Sequence, residues 1–76
     1  MPRRQVDAAA LKARRLELYP APYSREAFCE VAGISLSYCK YLEAGVHQPS
    51  RRVARDVAAA LQWEVEQLYA PEQVAA

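Results

Sequence analysis

Glycine is scarce in this chain. Gly33 and Gly45 are the only two among 76 residues, against fifteen alanines. A β architecture needs frequent tight turns, and glycine supplies many of their positive-φ positions. Alanine favours helix instead. No alternating apolar–polar stretch of strand length, internal repeat or low-complexity tract is present either. Long apolar runs are also missing. None approaches the ~20 residues that cross a bilayer, so no membrane partner is expected. The opening stretch MPRRQVDAAALKARR has no apolar segment followed by a cleavage site, and is not expected to act as a secretory signal.

Soft ligands and catalytic groups are few. His47 is the sole histidine, and the only cysteines are Cys29 and Cys39. Small secreted folds usually carry roughly four or more cysteines. These two read as reduced thiols filling a core in a cytoplasm. One histidine and two thiols make a poor zinc set. No Gly-rich phosphate loop exists, and His47 has no acid or nucleophile at a telling spacing. The expectation is a non-enzyme with no cofactor and no metal. At 76 residues the chain is one small domain, not expected to hold a large cleft.

Charge is present but unevenly spread. The formal total is +1. All ten Lys and Arg fall within residues 1–55, which carry +5, whereas residues 56–76 hold four acids and no base. Such asymmetry predicts a surface for a polyanion formed by the first part alone.

Short helical pieces fill the chain. Asp7 can cap a first helix through AAALKARRLELY, with Leu11 and Leu18 on one face. The segment Tyr19-Pro20-Ala21-Pro22-Tyr23 ends it, because each proline turns its predecessor away from helix. Ser24 is expected to cap a second helix that Gly33 closes, and Ser35 a third, LSYCKYLEA, that Gly45 closes. After Val46-His47-Gln48-Pro49, Ser50 caps a fourth helix with Val53, Val57 and Leu61 as its core stripe. A short fifth helix is expected to put Val65, Leu68 and Tyr69 on one side before Pro71 stops it. Residues 1–6 read as a basic arm, 7–70 as the domain and 71–76 as a frayed tail.

Residues 25–44 fit a helix-turn-helix. Phe28, Ala32, Ile34, Cys39 and Leu42 sit where both helices must face the core. Cys29 sits at their closest approach, and Gly33 in the turn. With Cys39 and Leu42 inward, Leu36, Ser37, Lys40, Tyr41 and Ala44 are left outward on the third helix. Tyr38 is assigned to the edge of the core.

The run GISLSYCKYLEAGVHQPS, followed by an alanine-rich helix ending ALQW, resembles the phage repressor and Cro-type (lambda-repressor-like) helix-turn-helix family. The resemblance spans about Leu11 to Tyr69 and is best at Gly33-Ile34-Ser35, Tyr38 to Gly45, and Pro49-Ser50. The chain departs from the family pattern where Arg25 replaces a frequent glutamine and where the YPAPY linker runs about three residues long. It departs again where Gln62 and Glu64 replace a helix-ending glycine and a capping Ser or Asp.

The resemblance implies a compact five-helix, all-α domain whose third helix, 36–44, enters the major groove of double-stranded DNA. Its base-reading positions fall on Leu36, Ser37 and Tyr41, with Lys40 at the edge. No Arg, Asn or Gln stands there, so direct readout is modest and shape carries more than usual. Arg25, His47, Gln48, Arg51 and Arg52, with Arg55 a turn later, are the expected phosphate contacts. Arg3 and Arg4 form an arm for backbone or minor groove. Arg15 falls where the family pairs an arginine with a glutamate of the third helix, here Glu43. The implied function is a small Cro-like repressor acting by operator occupancy, in the cytoplasm and on the nucleoid of a bacterial cell. It would be a weak homodimer formed on DNA. Alternatives are an excision accessory protein, an antitoxin, or a protein-docking module, for which Tyr19, Tyr23 and Tyr41 would supply a tyrosine-rich surface.

Overall fold

A computed structural model describes residues 5–46 and 48–70. Arg3, Arg4, His47 and the tail 71–76 lie outside them. Four α-helices follow one another: α1 (Ala8–Leu18), α2 (Ser24–Ala32), α3 (Leu36–Glu43) and α4 (Arg51–Ala60). A 3-10 helix, Val65–Leu68, completes the order. No strand occurs among the described residues, so the fold is all-α. None of these helices is long and apolar enough to cross a membrane.

Local chemistry sets most boundaries. Asp7 Oδ1 accepts the Ala10 N–H at 3.1 Å and opens α1. Ser35 Oγ accepts from Tyr38 N–H at 3.0 Å and Ser50 Oγ from Val53 N–H at 3.3 Å, opening α3 and α4. At the end of α2, Gly33 adopts φ +72°. Its N–H and that of Ile34 both donate to the Cys29 carbonyl, at 2.8 and 3.1 Å, so the turn is tight enough to bring α3 directly onto α2.

The four helices close around Leu11, Phe28, Cys39, Leu42, Val57, Leu61 and Leu68, all fully buried. Cys29 and Ala32 keep α2 slim against α3, and Ala54 and Ala60 do the same for α4. Ile34, Tyr38, Val53 and Trp63 cover the edge of this core. Both cysteines are buried free thiols.

Four expectations need correction. The fifth helix is not an α-helix but a 3-10 turn of four residues, Val65–Leu68. A segment this short cannot repay the nucleation of an α-helix, and a 3-10 turn suits short pieces. Of its apolar residues only Leu68 is fully buried, while Val65 stays at the surface. Ser24 does not cap α2. It is the first helical residue, Tyr23 takes the cap position without a side-chain bond, and the Ser24 hydroxyl accepts from Arg15 instead.

Tyr19 is not a surface tyrosine. Its ring meets Phe28 edge-on at 5.8 Å, and its hydroxyl donates to the Ala60 carbonyl at 2.7 Å. Finally, Gln5 and Val6 do not belong to an arm. Val6 is buried and forms an antiparallel bridge with Tyr69. Asp7 N–H donates to Leu68 O at 3.0 Å and Ala70 N–H to Gln5 O at 2.9 Å. The two ends of the domain thus clasp each other. A single apolar residue before a helix carries no periodicity, so nothing local announces this pairing.

Candidate functional site

The outward face of α3 follows from helix geometry. At about 100° per residue, Leu36, Lys40, Ala44, Ser37 and Tyr41 share an arc of about 140°. Cys39 and Leu42 lie on the opposite side and are buried, and Tyr38 is half-buried between. All five outward residues are exposed, Leu36 at 42% and Tyr41 at 53%. The arc therefore offers one ammonium, one hydroxyl, one phenol and two apolar groups.

The cations expected to serve this face differ in how free they are. Arg51 and Arg52 stand in the first turn of α4 and Arg55 one turn later, all exposed. Among the described residues no carboxylate pairs with any of them. Cationic side chains at a helix start oppose its dipole, an arrangement that an external anion would relieve. Arg51 and Arg55 also border an open groove with Ala54, Val65 and Tyr69. Gln48 is exposed, but its Oε1 already accepts the Val6 N–H at 3.2 Å. Its amide donors are the groups that could bond a phosphate.

Arg25 is less free than its place at the start of α2 suggests. Its Nε lies 3.6 Å from Glu43 Oε2 and makes no hydrogen bond, and the side chain is 38% exposed. It borders a cleft with Lys12, Arg15, Ser24 and Glu26. Lys12 did not stand out in the sequence. Its spacing of three from Arg15 put both on one face of α1, but only the fold brings that face to α2.

Glu43 is the hub. Arg15 grips it with two bonds, Nε to Oε2 at 3.1 Å and Nη2 to Oε1 at 2.9 Å. The Arg15 Nη1 donates to Ser24 Oγ at 2.6 Å. The Cys39 thiol donates to Glu43 Oε2 at 3.0 Å. Both ion-pair side chains are nearly sealed from water, at 4% and 5% exposure. Burial alone would raise the Glu43 carboxyl. The bonds from Arg15 and Cys39 and the charges of Arg15 and Arg25 outweigh it and hold the group below the usual carboxylate range. Burial, then the adjoining Glu43 carboxylate, pushes the Cys39 thiol well up. The network ties α1, α2 and the last turn of α3 together and so fixes how the outward arc is presented. Arg14 does similar work elsewhere, donating from Nε to the Leu61 carbonyl at 3.0 Å past the end of α4.

No group of three His, Cys, Asp or Glu side chains gathers as a metal site among the described residues. Comparison of the chain with protein-family models, curated proteins and solved structures yields no match.

Proposed function

We propose that the chain is a DNA-binding regulator of the phage repressor and Cro-like kind. In this reading α2, the Gly33 turn and α3 form a helix-turn-helix, and α3 lies in the major groove. One observation carries it above the others: all five outward residues of α3 are exposed, and the next helix opens on Arg51 and Arg52, both exposed and without a carboxylate partner among the described residues. A reading surface needs an exposed helix face with cations beside it to take the phosphates. Arg51, Arg52 and the donors of Gln48 anchor the backbone. Arg25 and Lys12, which line one cleft beside the open amide end of α2, add further backbone contacts. The regulator acts by occupying its operator, with Arg3, Arg4 and His47 as further backbone contacts.

The test is a titration of duplex DNA over a range of salt. Affinity should fall steeply as salt rises, and Arg51→Ala or Arg52→Ala should each flatten the log–log slope by roughly one unit for every sequence alike. Binding indifferent to salt would overturn the reading. It would favour a protein-docking module, which the exposed Leu36, Tyr41 and Val46 would also suit.

A further inference from the structure

We infer that α3 selects its site through the 5-methyl group of a pyrimidine, with Leu36 as the residue that packs on it. The inference rests on the DNA-binding reading above and narrows it to one chemical feature of the groove floor.

Leu36 is the first residue of α3, directly after its cap Ser35. In a helix lying in the major groove, the N-terminal residues reach the base edges. The α3 backbone leaves this isobutyl group 42% exposed one turn before Lys40, without the covering that its size would attract in a core. No Arg, Asn or Gln on the arc can make the two-pronged bonds that read guanine or adenine. The major groove offers one apolar feature to such a side chain, the C5 methyl of thymine. Over any other base edge, Leu36 would strip water from a donor or acceptor and return no hydrogen bond. Attraction to the methyl and the penalty elsewhere therefore act in the same direction. The group recognised is the methyl and not the base, so 5-methylcytosine should satisfy Leu36 and uracil should not.

The experiment begins by selecting bound duplexes from a random pool with the whole protein, then remaking the tightest site with uracil at each thymine in turn. At one thymine per half-site, loss of the methyl should weaken binding about fourfold, the worth of one buried methyl-sized group. Replacing that T·A pair by C·G should weaken it, and methylating C5 of the new cytosine should recover about the same factor. Leu36→Ala, with unchanged circular dichroism, should erase the uracil penalty at that thymine only. Leu36→Met, which keeps an apolar contact, should retain it. A site bound with steep salt dependence but indifferent to uracil everywhere overturns the inference and leaves the DNA reading standing. So does a uracil penalty that survives Leu36→Ala. A pool that yields no salt-sensitive duplex overturns the DNA reading itself, and this inference with it.

Discussion

Arg15 shows why a single side chain can matter more than a whole charged surface. Its guanidinium is sealed from water and spends its donors on Glu43 and Ser24. An exposed pair of the same kind is worth about 0–1 kcal/mol. Here Glu43→Gln strands a buried cation, and a cost of roughly 3–5 kcal/mol is expected in urea melts. A loss under about 1 kcal/mol would mean that water reaches Arg15 freely. The same carboxylate governs acid stability. Its folded-state value lies below the ordinary one, so its contribution is complete above pH ~4.3 and is lost as the pH falls further. The wild-type chain should therefore lose stability in acid more steeply than Glu43→Gln, measured by thermal melts between neutral and acid pH. The pairing of residues 15 and 43 was implied by the family resemblance. Arg25 and Cys39 as further partners were not: Cys39 stands one turn before Glu43 on α3, a spacing that offered the contact, whereas nothing in residue spacing brings Arg25 of α2 to the same carboxylate.

At the scale of elements, two left-handed residues make opposite predictions. Gly33 holds φ +72°, and a Cβ there would meet no atom within 4 Å. Gly33→Ala is then a test of backbone strain alone, expected to cost about 1–2 kcal/mol. Gln62 takes φ +57° just past α4, although it is not glycine. Gln62→Gly should raise stability by up to about 1 kcal/mol, since strain relieved exceeds entropy lost. An unchanged denaturation midpoint in both variants would mean these turns are free to relax. The caps divide along similar lines. Asp7, Ser35 and Ser50 act on a backbone three residues away, within reach of a local reading. Ser24 had the same sequence credentials, but a buried arginine from α1 outcompetes the backbone for its hydroxyl.

For the whole molecule, the clasp between the ends is a stability device. Val6 is buried against the far end of the domain, where Tyr69 pairs with it. Val6→Ala should cost about 2 kcal/mol, and thermal melts should drop by roughly 8–16 °C for a domain of this size. A drop of less than about 4 °C would make the clasp an ornament. The same packing bears on assembly. Leu68 is committed to the core and Trp63 covers it, which leaves Val65 and Tyr69 as a small apolar patch among Glu64 and Glu66. Sedimentation without DNA should show mostly monomer. A duplex with two half-sites ~34 Å apart should bind two copies cooperatively. A tight free dimer, or independent binding of single copies, would contradict this.

The sequence by itself determined what depends on near neighbours. Helix-forming alanines, prolines after Tyr19, two glycines and three short polar caps place four helices, and apolar spacing marks Leu11, Phe28, Leu42, Val57 and Leu61 as core. It also settled which residues of α3 face outward, because inward Cys39 and Leu42 leave only one other arc. Tertiary structure decided everything that one element does to another. The hub at Glu43, the restraint on Arg25, the diversion of Ser24, the docking of Tyr19 on Ala60 and the clasp of Val6 with Tyr69 all join residues of different elements. The reason is physical: caps and periodicity act over one or two turns of backbone, whereas desolvation and charge pairing depend on which surfaces meet, and that is fixed only when the whole core closes.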